Sequence, residues 1–176
     1  MPRLKFRQKN RKPEVRFIQL ELLPYLRQIG CDVEIIESKA VWSPSAKRYL
    51  KGMSEPGHSD IAGNLPNGMA IYVEAKSPLS KITPSKLRDD QWVFLMRKIN
   101  TNAFAVVVNN VEDLHEMLCH WTGLVEENKL AQAREYLVSK LPKKRGLIIP
   151  FFQRPQIDVS LFDRGAKLSD VLSEIE

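Results

Sequence analysis

Three side chains could do chemistry together: Asp60, Glu74 and Lys76. They lie in Gly57-His-Ser-Asp60-Ile-Ala-Gly63 and in Met69-Ala-Ile-Tyr-Val-Glu74-Ala-Lys76. The second stretch alternates as a β-strand does. Ile71, Val73 and Ala75 fall on one face, and Tyr72, Glu74 and Lys76 on the other. The intervening Asn64-Leu-Pro-Asn-Gly68 has turn chemistry, so it would fold Ser59–Gly63 back beside Met69–Lys76 and bring Asp60 near Glu74. Two carboxylates and an ammonium group on one sheet face suit Mg²⁺-dependent attack of water on a phosphodiester. Hard divalent cations prefer oxygen ligands, and Asp60, Glu74 and the carbonyl of Ala75 offer three. Lys76 would orient or deprotonate the attacking water, or offset charge on phosphorus. The competing reading is a hairpin whose Glu74 and Lys76 simply pair on a solvent face.

The elements that must position these residues follow from the rest of the chain. Val15, Ile18, Leu22, Leu26 and Ile29 keep helical spacing after Pro13, and Gly30 supplies a stop. Pro24 inside that pattern predicts a kink or a split. Val33–Ile36 reads as a strand. Ser43–Pro56 reads as a polar loop, with Lys47, Arg48 and Lys51 placed to touch a nucleic-acid backbone. After a Ser/Pro/Lys loop, a helix is expected over roughly 85–99, then a buried apolar strand at Ala103–Val108. Helices are predicted over Val111–Trp121 and Glu126–Leu141. The last residues read as a hairpin, Leu147–Phe152 with Gln156–Phe162, and a short terminal helix, Ser169–Ile175, capped by Ser169. The order implies an α/β core with a central mixed sheet flanked by helices, plus an α+β C-terminal extension.

The 176 residues suffice for one domain and an extension, and 43% hydrophobic content with 27% charge is normal for a soluble globular chain. No apolar run reaches a membrane span, and the basic N-terminus lacks a signal-peptide core. With Cys31 and Cys119 in no framework pattern, a reducing cytoplasm is expected. The net charge is +6. Arg3, Lys5, Arg7, Lys9, Arg11 and Lys12 account for it: without them the remaining bases only match the 21 acids. Such a tail suits a polyanion bound through its phosphates.

The stretch from Gly57 resembles the PD-(D/E)XK nuclease superfamily, and within it the phage-type VRR-NUC family. The resemblance rests on Gly57-His-Ser-Asp60-Ile-Ala-Gly63, on Val73-Glu74-Ala-Lys76, and on Gln91-Trp-Val-Phe94-Leu95 of the following helix. Ala105-Val-Val-Val108, Val111-Glu-Asp-Leu114 and an N-terminal helix from Glu14 to Gly30 extend it over roughly residues 13–121. It implies a restriction-endonuclease-like core and a DNA endonuclease using Mg²⁺, or Mn²⁺. It also implies roles: Asp60 and Glu74 on the metal, Lys76 at the water, Gln91 supporting the site or touching phosphate, and Glu14 completing the shell. Glu21, two turns on, stands as an alternative to Glu14. In the family Gln follows Thr-Pro closely, whereas Ser-Lys-Leu-Arg-Asp-Asp separates Thr83-Pro84 from Gln91 here.

This organisation makes residues 1–12 a basic tail, 13–121 the nuclease core, and 122–176 an extension for dimerisation or substrate choice. A homodimer would suit cutting of two strands. DNA is the expected partner, held by the tail, by Lys47–Lys51 and by Lys143–Arg145, with His58 near the scissile phosphate. Branched DNA, flaps, or a specific sequence as for a homing or restriction-type enzyme, are the open substrates. The alternative of another class is a non-catalytic DNA-binding or assembly protein. His115-Glu-Met-Leu-Cys119-His120 is not a zinc helix, because two ligands without a third make no site. Trp92 reads as packing, Tyr72 on the face of Glu74 and Lys76 reads as packing or as abutting the substrate, and Gly57 to Gly63 lacks the Lys of a phosphate-binding loop.

Overall fold

Alternation and turn chemistry set the centre of the fold. The computed structural model describes residues 13–36, 41–43, 45, 48–50 and 57–144. Residues 1–146 form one compact unit and 147–176 a second, and all described residues lie in the first. Strand β4 (Ile61–Asn64) and strand β5 (Ala70–Ala75) pair antiparallel, with Ile61 opposite Val73 and Asn64 opposite Ala70. Their turn closes with Gly68 at φ +81°, its N–H donating to the Leu65 carbonyl. Asn67 Oδ1 accepts from the Met69 N–H, the local bond that makes Asn a turn residue.

The described residues form a four-stranded mixed sheet in the order β1-β4-β5-β6. Strand β1 (Asp32–Ile35) is antiparallel to β4, and β6 (Phe104–Val108) runs parallel to β5. Helix α3 (Asp89–Asn100) makes the crossover from β5 to β6. Parallel neighbours need both faces covered. Every residue of β6 is accordingly buried, as are Ile71, Val73 and Ala75. Phe104 meets Trp121 of α4 (Val111–Glu126) at 5.4 Å between ring centres, so α4 packs on the Phe104 face. Tyr72, one residue out of phase, meets Phe94 of α3 on the opposite face at 5.5 Å. Helix α5 (Leu130–Lys140) packs against α3, α4 and β6.

The N-terminal helix is interrupted, as Pro24 predicts. Helix α1 (Pro13–Phe17) passes through one π-helical turn (Ile18–Leu22) into α2 (Leu23–Gln28). The wide turn carries the Leu23 N–H to the Ile18 carbonyl, and Pro24 falls in the first turn of α2, where its missing N–H costs little. Phe17, Ile18, Leu22 and Leu26 are buried, and Gly30 ends the segment at φ +87°.

Several expectations change. Ser43–Pro56 is not wholly loop. Strand β2 (Val41–Ser43) pairs with β3 (Arg48–Leu50), Ser43 opposite Arg48, and at three residues each the strands are too short for a period of two to show in the sequence. Helix α3 begins at Asp89 and not near 85, because Thr83-Pro84 starts only a 3₁₀ turn (Pro84–Lys86) and Leu87 and Arg88 are extended. Leu87 is fully buried, and that burial decides the break. Helix α4 continues to Glu126, and Asn128 at φ +57° separates it from α5, which starts at Leu130 and not at Glu126. The C-terminal hairpin and helix, the basic tail, Lys47, Lys51 and Arg145 lie outside the described residues. Among the described residues no helix is long and apolar enough to cross a membrane.

Candidate active site

Glu74 stands on β5 with both faces of the sheet covered. Its side chain is 2% exposed, so the pairing with Lys76 is no solvent-face contact. Glu74 Oε1 accepts from Lys76 Nζ at 2.5 Å and from Gln91 Nε2 at 2.5 Å. Gln91 Oε1 in turn accepts from Lys76 Nζ at 3.3 Å and from the Arg88 N–H at 3.2 Å. Gln91 occupies the third position of α3, where a Gln side chain reaches back to the N-cap backbone. One helix start therefore both caps itself and locks the Glu74–Lys76 pair. Glu74 Oε2 is buried without a hydrogen-bond partner.

Asp60 precedes β4 and ties it to the end of β5, its Oδ2 accepting from the Ala75 N–H at 2.9 Å. Burial pushes the Asp60 carboxyl up, against the opposing pull of that N–H; the Glu14 charge pushes it further up. Glu74 is pushed up to about 7, first by burial and then by the charge of Asp60, with Lys76 pulling the other way and Glu14 adding to the rise. Glu14, in the first turn of α1, is thus the helix-borne acid that acts on both carboxylates. Glu21 is exposed and has no such effect.

The glycines that bracket Asp60 are explained by close approach. A Cβ on Gly57 would lie 2.2 Å from the Asp90 carbonyl oxygen, and Gly57 adopts φ +81°. A Cβ on Gly63 would lie 2.0 Å from the Asp32 carbonyl oxygen, across the β1–β4 pairing. Gly57 lets the Asp60 loop touch the first turn of α3, and Gly63 lets β1 close on β4.

The donor set suits a hard divalent cation. All its atoms are oxygens, one is orphaned and buried, and the carboxylates repel one another. Among the described residues no three His, Cys, Asp or Glu side chains converge at ligating distance. A cation would draw on Asp60, Glu74 and a backbone carbonyl such as that of Ala75, with water and substrate completing the shell.

His58 is turned inward. Its Nδ1 bonds the Ser59 carbonyl at 3.0 Å, and its ring lies 4.5 Å from Phe94 and 5.9 Å from Tyr72. Trp92 is a packing residue as expected, and its Nε1 donates to the Pro142 carbonyl. Arg48 lies on β3, and the remaining residues expected to touch DNA (Arg3, Lys5, Arg7, Lys9, Arg11, Lys12, Lys47 and Lys51) lie outside the described residues. His115 stands 3.6 Å from Cys119 and hydrogen-bonds Tyr25, with no third ligand among the described residues. No motif marks Arg88 and Asp90 in the sequence, and their pairing at the N-terminus of α3 follows from the helix starting at Asp89.

Compared with known proteins, the chain matches no family model, no curated protein and no solved structure.

Proposed function

We propose that the chain is a metal-dependent endonuclease that hydrolyses phosphodiester bonds in DNA. The observation that carries this reading is the buried Glu74 carboxylate, gripped on one oxygen by Lys76 and Gln91 and left open on the other, with Asp60 beside it. A surface ion pair has no use for such burial, and a protein selected only to bind DNA would not keep three mutually repelling acids. The resemblance to the PD-(D/E)XK nucleases points the same way.

Asp60 and Glu74 would hold Mg²⁺ or Mn²⁺, with the Ala75 carbonyl as a further ligand and Glu14 completing the surrounding shell. Bound there, the cation supplies polarisation of the phosphate and a lowered pKa for water. An ammonium group has three N–H donors, and Lys76 commits two, to Glu74 and Gln91. The third is available to orient the attacking water or to donate to a phosphate oxygen as negative charge grows. Gln91 fixes the direction of Glu74 and Lys76.

The test is incubation with supercoiled plasmid and with branched DNA, each in Mg²⁺, Mn²⁺ or EDTA. Cation-dependent cleavage is expected. A folded protein that cuts neither DNA in either cation sinks the enzyme reading, and retained DNA binding would then favour the non-catalytic one. Preference for branched over plasmid DNA distinguishes a structure-specific enzyme from a homing or restriction type.

A further inference from the structure

We propose that Arg88 is a phosphate clamp of this site, an additional side chain that grips the scissile phosphodiester and is held in place by Asp90. The proposal rests on the nuclease reading above. Three observations place Arg88. Its backbone N–H donates to Gln91 Oε1, so its position is fixed to the residue that grips Glu74 and Lys76. Its backbone is extended, with φ −65° and ψ 159°, so the side chain leaves the chain just before the first turn of α3. Asp90, which holds its guanidinium, lies against the Asp60 loop, where a Cβ on Gly57 would come within 2.2 Å of the Asp90 carbonyl oxygen.

The guanidinium is oriented but not consumed. Nε donates to Asp90 Oδ1 at 3.1 Å, and the same oxygen accepts the Gln91 N–H at 2.9 Å. Nη1 and Nη2 have no partner among the described residues, and the side chain is 66% exposed. A planar fork with both outer nitrogens free matches two oxygens of a phosphate. The neighbouring acid, Asp89, is paired with Lys144, so it does not repel an incoming anion as a bare carboxylate would. Lys76 already gives two donors to protein acceptors. One Lys76 donor is left for the substrate, and Arg88 is an exposed cation fixed beside Gln91 with its outer nitrogens open.

The test compares Arg88→Ala, Arg88→Lys and Asp90→Asn with the wild type on plasmid and on fluorescently labelled branched DNA in Mn²⁺. DNA binding is measured in Ca²⁺ across salt concentrations. The fold should survive, because the Gln91 contact is to the Arg88 backbone and an Asn still accepts the Gln91 N–H; melting temperature checks this. Arg88→Ala is expected to lower kcat at least about tenfold and to weaken binding. Arg88→Lys should recover binding and its salt slope, but not kcat, since a point charge replaces the fork. Asp90→Asn should fall between. Wild-type kcat in Arg88→Ala, or full recovery of kcat in Arg88→Lys, overturns the clamp while leaving the nuclease reading intact. Absence of any cleavage by the wild type overturns the nuclease reading and the clamp with it.

Discussion

At the scale of single residues, the site is a stored electrostatic conflict. An acid whose folded pKa lies above its unfolded value holds its proton more tightly when folded. For Glu74 the interval runs from the ordinary 4.5 to about 7. Its contribution to stability is therefore in place below the lower value and is lost as pH rises through the upper one. The loss amounts to about 3 kcal/mol in metal-free protein. Denaturant titration in EDTA at pH 5 and pH 8 should show this for the wild type and a flatter response for Glu74→Gln. Equal slopes in the two proteins would remove Glu74 as the source. Adding Mn²⁺ at pH 8 should restore stability to the wild type, by about 2.7 kcal/mol at a hundredfold excess over Kd, and not to Glu74→Gln. Asp60→Asn keeps an acceptor for the Ala75 N–H and removes a repelling charge. It should fold, melt no lower than the wild type without metal, and cut no DNA; cleavage at the wild-type rate would mean that Asp60 holds no cation.

At the scale of elements, the first turn of α3 carries most of the burden, because Gln91 caps the helix and grips the site with one side chain. Gly57 lets the Asp60 loop lie directly on that turn. Gly57→Ala puts a Cβ into the Asp90 carbonyl at a positive φ, and should cost at least about 2 kcal/mol. It should also lower cleavage by protein that remains folded, since Gln91 must shift with Asp90. A variant with wild-type melting and wild-type cleavage would show that the contact bears no weight. The strands of this region were legible in the sequence because alternation, a turn and an apolar run are local signals. Glu74 and Lys76 on one face, and Asp60 beside them, followed from those signals alone. The start of α3 was not legible, because burial of Leu87 is a tertiary fact that overrides the helix signal of Thr83-Pro84. The β2–β3 pair was not legible for another reason: three residues per strand are too few to establish a period of two. That the Glu14 charge bears on both carboxylates was not legible either, because it depends on where α1 lies in three dimensions, which periodicity does not report.

At the scale of the whole molecule, charge is divided between a neutral body and a basic tail. The six bases of residues 1–12 account for the entire net charge of +6. If they meet phosphates, deleting residues 1–12 should reduce the slope of log affinity against log salt by up to about five and leave melting unchanged. An unaltered slope would make the tail a bystander.

The crossover from β5 through α3 to β6 has a consequence for how the protein assembles. Asp60, Glu74, Lys76, Arg88 and Gln91 all belong to the stretch Gly57–Val108, whose hairpin and adjacent helix need only short loop closures. Glu14 alone is recruited from far along the chain. The stretch should behave as one cooperative unit in native-state hydrogen exchange, its β5 and β6 amides opening last and together, while α1 exchanges earlier. The chemistry would then be built first and the distant acid docked onto it afterwards.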